Sequence, residues 1–268
     1  AIVPTDVAAG FMSQWMETFA IANGLHPVKE DGSINFDQKK TIEMLETYKA
    51  LVGMSPEGIH HWQNGRDFYA SDVVPLTFWA SYLLDDIAGT RDNVPIMVDV
   101  NPQSLALAQD TNVIVGMAGP SNPDGGTWVE VHNFGVTVDA NTDEAAAFIE
   151  YVMNEEYVTW LGMAPEGSFP IRPGPSAGSK IFIDEWGNLP IGVDRKIPIN
   201  QIYSGEIIES LINGLAVGTR WGAKEGQLPV AAKLVNSGLM NRLMMEYING
   251  DRSAEETVDM LNSEAAKL

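Results

Sequence analysis

The chain has 268 residues, 45% of them apolar and 9% aromatic, which is enough to bury a core in one large or two smaller domains and too apolar for disorder. Thirty-six acids face 16 bases, for a formal net charge of −20, and a surface so acidic argues against binding nucleic acid or docking on anionic lipid. Cysteine is absent, which removes disulfides, thiolate nucleophiles and Cys-ligated zinc, and no apolar run approaches the ~20 residues of a spanning helix.

Thr5 or Asp6 is expected to cap a first helix that ends near Asn23, with Gly24 as its stop. Val7, Phe11, Trp15 and Phe19 recur at i, i+4 on one face of it. Asp31-Gly32 marks a turn. Phe36 and Asp37 open a second helix with Ile42, Leu45, Tyr48 and Val52 inward, ended by Gly53, Pro56 and Gly58. A short helix from about Trp62 to Tyr69 precedes a predicted strand, Val73 to Phe78. A helix over about Ala80 to Ala88 and a strand over Val94 to Val100 follow.

Next comes a predicted strand, Val113 to Met117, then a Pro/Gly-rich loop, Pro120 to Gly126, and a second strand, Trp128 to Val138. A helix capped by Asn141, Thr142 or Asp143 carries Ala146, Phe148, Ile149 and Val152 on its apolar side. A further helical turn ends around Trp160 to Gly162, and a loop closes with Phe169, Pro170 and Arg172. Beyond it the chain reads as helical: Lys180 to Trp186, Ser204 to Leu215, one long helix from Val230 to Asn249 stopped by Gly250, and a terminal helix. Ser253 and Glu256 form a capping box for the last, with Val258, Leu261 and Ala265 on one side. Strands alternating with helices in the first 160 residues give an α/β class with a helix-rich C-terminal part.

The order of these passages resembles the extracellular solute-binding proteins of ABC importers, of the maltose-binding-protein-like kind. Leu25 to Asp37 is similar to that family's Asp-Gly passage before a long helix. Asp67-Phe68 to Leu84 is similar to its apolar strand and aromatic helix start. Thr142 to Gly162 with Pro170-Ile171-Arg172 resembles its helix pair and Pro-x-Arg loop, and Asn249 to Leu261 its C-terminal helix. The resemblance implies an α/β, type II periplasmic-binding-protein-like fold. Residues 1–105 and 165–268 would build a helix-rich C-terminal lobe, and residues 106–164 a segment returning to the N-terminal lobe through the hinge. The family's initial βαβ lobe has no counterpart here, and a start at Ala1 without a basic n-region and apolar h-region suggests a processed or excised product. The implied function is non-catalytic: capture of a sugar or oligosaccharide, in a cleft that closes by hinge bending, for delivery to ABC permease subunits. The implied location is extracellular, periplasmic or cell-surface lipoprotein, with contact to a membrane only through an anchor or the permease.

Sugar recognition needs flat apolar rings and directional polar groups. Three clusters offer them. In the first, Ser13 and Gln14 point away from the Phe11/Trp15/Phe19 face, and in the family this helix start faces the cleft. In the second, Trp79 and Tyr82 follow a predicted strand at a helix start, where ligands of α/β sheets collect; one is expected in the core and the other as a stacking platform. In the third, Arg220 and Trp221 lie between two glycines. Trp221 either binds or covers an edge, and Arg220 would donate to hydroxyls or to an acid. Trp128 is a lesser hinge candidate, and Arg172 reads as a structural clamp.

His26, His60, His61 and His132 form no ligand spacing, and no H-E-x-x-H, G-x-S-x-G, Walker or G-x-G-x-x-G motif occurs. No catalytic residue, cofactor or metal is expected. Asp85-Asp86 do not face one another across a helix and are rejected as a catalytic pair. The rival classes are a secreted glycoside-active enzyme with distant carboxylates, and a solute-binding protein for iron, a polyamine or another small solute, for which only Tyr82 and Tyr203 are well placed.

Overall fold

The computed structural model describes residues 1–8, 10–92 and 105–268. The predicted strand Val94 to Val100 lies outside them. The protein mixes helix and strand, with 47% helix and 8% strand, so helices form the frame. In chain order the elements are α1 (Gly10–Ala22), α2 (Gln38–Gly53), α3 (Trp62–Ala70), α4 (Leu83–Ile87), α5 (Ala106–Asp110), β1 (Met117–Gly119) and β2 (Asn122–Trp128). Then follow α6 (Thr142–Asn154), α7 (Tyr157–Leu161), α8 (Ile181–Trp186), β3 (Pro190–Ile191), β4 (Ile197–Pro198), α9 (Ile199–Ile202), α10 (Gly205–Gly214), β5 (Gly218–Thr219), α11 (Leu228–Asn236), α12 (Leu239–Asn249) and α13 (Ala254–Ala265). Among the described residues no helix is long and apolar enough to cross a membrane.

The chain divides into two compact units. The first is Ala1–Trp79, Ile114–Val129 and Gly214–Leu268, and the second is Ala80–Val113 and Glu130–Asn213. Residues 114–129 pack on α1 and belong with the first unit.

In the first unit α1 is the central element. It buries residues around most of its circumference, Met12, Trp15, Met16, Phe19 and Ala20 among them. A helix apolar on most sides has to be wrapped by others. α2 supplies Met44, Leu45 and Tyr48, α12 supplies Leu239, Met240, Leu243 and Met244, and α13 supplies Val258, Leu261 and Ala265. Asp37, which opens α2 as expected, accepts the Lys40 amide, and the predicted capping box of Ser253 and Glu256 forms. Three expectations are corrected. Thr5 and Asp6 do not cap α1; their amides donate to His60 O in an extended segment. Val73 to Phe78 forms no strand and contributes only the isolated bridge Thr77 to Ile2. The expected helix Val230 to Asn249 is two helices, broken at Ser237-Gly238, where Gly238 takes φ +67° and Ser237 Oγ accepts the Leu239 amide.

The fourth correction concerns the hairpin. Pro120 to Gly126 is no loop. β1 and β2 pair antiparallel with Met117 opposite Gly126, and β5 adds in parallel through Thr127–Gly218 and Trp128–Thr219. The glycines serve close approach. A Cβ on Gly126 would stand 2.9 Å from Ile21 Cγ2, and one on Gly119 would stand 2.7 Å from the Asn23 Cα. Absent side chains let the ribbon lie directly on α1. Asn23 and Glu43 then pin its turn: Ser121 N donates to Asn23 Oδ1 at 2.9 Å, and Ser121 Oγ donates to Glu43 Oε2 at 2.6 Å.

The second unit packs Leu83, Leu84 and Ile87 of α4 in a core that also holds Tyr157, Phe182, Trp186, Ile191 and Ile199. Trp186 Nε1 donates to Pro165 O at 3.0 Å and Tyr203 Oη to Leu84 O at 2.6 Å, so the polar ends of both buried rings are satisfied. Thr90 O accepts the amides of Val193, Asp194 and Arg195 and ties the chain after α4 to the β3–β4 ribbon, whose strands pair antiparallel. Arg172 is a clamp as expected: Nη1 donates to Met153 O at 2.7 Å, and the guanidinium lies 5.9 Å from the Tyr157 ring centroid and 5.8 Å from that of Phe182. Asn141 caps α6. The apolar side read for that helix is not a core face, since only Val152 is buried.

Candidate functional site

Glu17 organises one edge of the first unit. It sits mid-helix on α1 and is 2% exposed. Its Oε1 accepts the backbone N–H of Trp221 at 2.8 Å, and its Oε2 accepts Trp128 Nε1–H at 3.0 Å. Arg220 Nη2 stands 3.4 Å from the same Oε2. Two N–H donors and a guanidinium thus compensate a carboxylate withdrawn from water. β2 delivers Trp128, and the chain leaving β5 delivers Arg220 and Trp221. The Arg220 guanidinium lies over the Trp128 ring, 4.8 Å from its centroid, in cation–π geometry. Both side chains remain half-exposed. The result is a flat indole topped by a guanidinium whose further N–H groups can serve a solute's hydroxyl or carboxylate.

The predicted residues separate on this geometry. Arg220 is at the edge described. Gln14, half-exposed, lies one helical turn before Glu17 on α1, on the same side by its i, i+3 spacing. Ser13 is not free: it is 2% exposed and its Oγ donates to Asn241 Oδ1 at 2.8 Å, because the α1 face it occupies packs on α12. Trp221 is core. It is 1% exposed, its Nε1 donates to Leu25 O at 2.8 Å, and its ring meets Phe36 edge-on at 6.2 Å. The glycines around it do not mark an exposed loop: Gly222 takes φ +74°, and a Cβ on Gly218 would stand 2.4 Å from Val129 Cγ1.

Trp79 is half-exposed but engaged by other rings. It stacks with Trp15 at 4.5 Å and 17° and with Trp62 at 5.3 Å and 5°, and Phe11 meets it edge-on at 5.2 Å. Arg66 lies 5.2 Å from the Trp62 centroid. What ring surface Trp79 retains for a solute is correspondingly small. Tyr82, in the second unit, is half-exposed and packs its ring on Gly167, where a Cβ would stand 2.0 Å from Cε1. Burial, with the charges of Glu130 and Glu166, raises the Tyr82 phenol above its ordinary value. Tyr203 is 3% exposed and is spent on Leu84.

The second unit also holds a buried acidic group. Arg91 Nε stands 2.8 Å from Asp85 Oδ2 and 3.0 Å from Asp86 Oδ1. Burial raises the carboxyls of Asp85 and of Glu166 above their ordinary range, Asp85 in spite of Arg91. Asp85 Oδ1 and Glu166 Oε2 have no hydrogen-bond partner among the described residues. Among those residues no group of three His, Asp or Glu side chains is arranged to hold a metal ion.

Glu17 and Trp62 carried no separate weight in the sequence. Glu17 reads as a polar residue interrupting an apolar face, and such an interruption is the one available signal of a buried polar hub. No protein-family model matches the chain, and no curated protein matches it.

Proposed function

We propose that this chain is a non-catalytic binding protein of the periplasmic-binding-protein-like class, capturing a small polar solute, foremost a sugar or oligosaccharide, outside the membrane for an ABC permease. Two features support it. The chain passes between its two units four times, at 79/80, 113/114, 129/130 and 213/214, so each is assembled from separated segments. The observation that carries the reading is the edge where Arg220, held by buried Glu17, lies over half-exposed Trp128 with Gln14 one turn away. With one indole face under the guanidinium, a hydroxyl-rich solute would meet the Arg220 donors and the exposed rim of Trp128.

The test is calorimetry of the protein against a panel of mono- and oligosaccharides. Saturable binding is expected for at least one, weakened about tenfold or more by Arg220→Ala and by Trp128→Ala, each loss being worth ~1.4 kcal/mol. The bound sugar should be recovered unchanged. Binding to none of the panel, with tight binding of an amine or metal, would overturn the sugar assignment. Turnover of chromogenic glycosides would replace it by the enzyme reading. That rival has one supporting observation, the raised carboxyls of Asp85 and Glu166. Against it, the two residues are 0% and 5% exposed and Asp85 is bonded to Arg91.

A further inference from the structure

Helix α6 and the chain leading into it present large exposed apolar side chains among the described residues of the second unit. Phe148 is 59% exposed and Tyr151 51%, while Val136 and Val138 before the helix are 44% and 100% exposed. Phe148 and Tyr151 share one side of α6 by their i, i+3 spacing. Phe134 lies 6.5 Å from Phe148 and 4.8 Å from Trp160, ring to ring. An amphipathic helix normally turns such a face to its own core. Here the helix buries Val152 alone.

Charge says what could cover the face. Glu144 is four residues before Phe148 and Glu155 four after Tyr151, so helical spacing places a carboxylate at each end of the aromatic pair. Glu156 accepts the Tyr151 hydroxyl at 3.0 Å, adding a third acid at the rim. No lysine or arginine occurs anywhere between Arg91 and Arg172, a stretch that carries all of these acids. The base that does reach α6, Arg172, is spent on Met153 O and Asn154 Oδ1 at its C-terminal end, and Glu144, Glu155 and Glu156 form no ion pair with it. Rings bracketed by carboxylates are the surface on which Lys and Arg side chains gain twice, from the π faces and from the acids.

We infer that the exposed face of α6 is a docking surface for a partner protein that presents an amphipathic segment of apolar and Lys/Arg side chains. The aromatic pair supplies the buried centre of the contact, and Glu144 and Glu155 fix its register and speed encounter. An acidic partner or an anionic lipid surface is repelled by the same rim. This surface lies wholly within the second unit and does not depend on which solute the first unit takes.

The probe is a synthetic helical peptide of alternating Leu and Lys turns, fluorescently labelled, with its Leu/Glu counterpart as control, titrated with the full chain by anisotropy. Saturable binding of the Lys peptide alone is expected, weakening as salt rises from about 0.05 M to about 0.5 M. The exposed-site variants Phe148→Ser/Tyr151→Ser and Glu144→Lys/Glu155→Lys should each weaken it about tenfold or more. Glu46→Lys/Asp259→Lys, which changes two exposed acids of the first unit, should leave it unaltered. Equal weakening by that pair would reduce the effect to general attraction by an acidic protein and overturn the inference. So would no binding, or binding untouched by Phe148→Ser/Tyr151→Ser. Concentration-dependent dimerisation in sedimentation, abolished by Phe148→Ser/Tyr151→Ser, would assign the face to a second copy instead.

Discussion

Truncating Glu17 tests the organisation of the first unit at its most constrained point. Glu17→Ala leaves the Trp221 amide N–H without an acceptor in a fully buried position, and it strips Trp128 Nε1 and Arg220 of their common partner. A buried donor left unpaired costs about 1–3 kcal/mol. The Trp221 amide bears that in full. Trp128 and Arg220 are half-exposed, so water replaces part of what they lose and they contribute less. Together with the void left beside Trp221, the expected loss is ~3–4 kcal/mol, in the range seen when one member of a buried charged pair is removed. Glu17→Gln keeps an acceptor oxygen for the Trp221 amide but turns an NH2 towards the Trp128 N–H, so it should cost less, ~1–2 kcal/mol. Urea unfolding followed by tryptophan fluorescence gives both values. Hydrogen exchange at the Trp221 amide assigns them to this unit, since Trp160 and Trp186 report on the other. A Glu17→Ala protein within about 1 kcal/mol of the parent would show that the carboxylate is not what holds this edge together.

Other expectations follow from single contacts. Gly119→Ala places a Cβ against Asn23 Oδ1 and Cα and should cost about 1–3 kcal/mol by forcing the ribbon off α1, while Gly135→Ala, with nothing within 4 Å, should be near neutral in the same urea assay. Ser253→Ala removes the acceptor of the Glu256 amide and should lower stability by about 1 kcal/mol, measured by thermal unfolding. Asp85 and Glu166 should make the second unit weaken as pH rises. Their folded values are raised by burial, so the stabilisation they give is complete below the ordinary carboxyl range and is lost as pH climbs through the raised values. Asp85→Asn/Glu166→Gln should flatten that dependence in urea midpoints taken between about pH 4 and about pH 7, and an unchanged slope would show that the two carboxyls do not titrate with folding.

Helices with a cap and a long amphipathic run were legible in the sequence. The Ser253 capping box holds, and of the three candidates for α6 it is Asn141 that caps, because an Asn or Ser side chain meeting the third amide is a local event; the Thr5 or Asp6 cap expected for α1 does not form. What failed was set by distant chain. Glycines at 119, 125 and 126 signal a loop locally, yet Gly126 is there because Ile21 of α1 leaves no room for a side chain, and Gly119 because Asn23 just beyond α1 leaves none. Trp221 between glycines reads as an exposed ring, but Leu25 O and the Phe36 edge, nearly two hundred residues away, bury it. Trp79 was legible as an aromatic of consequence, and its partners Trp15 and Trp62 were not, since stacking across three elements leaves no periodic trace. The candidate edge was half visible. Arg220 and Gln14 stand near it, while Glu17, which unites it, has meaning only once β2 lies against α1.

The apolar face of α6 separates two meanings of one pattern. Residues at i, i+3 and i+4 predict that a helix has an apolar side, and α6 has one. They do not say that the same chain covers it. In α13 the equivalent pattern, Val258, Leu261 and Ala265, is buried against α2 and α12, and its cost of exposure is met within the fold. In α6 Phe148 and Tyr151 stay 59% and 51% exposed, so each forgoes about half of a full ring's burial, on the order of 1 kcal/mol. A fold that already excludes Phe36 and Trp221 from solvent almost completely has the means to bury rings. Leaving Phe148 and Tyr151 outside, between the carboxylates of Glu144, Glu155 and Glu156, is the arrangement expected where burial is completed by a second, basic molecule.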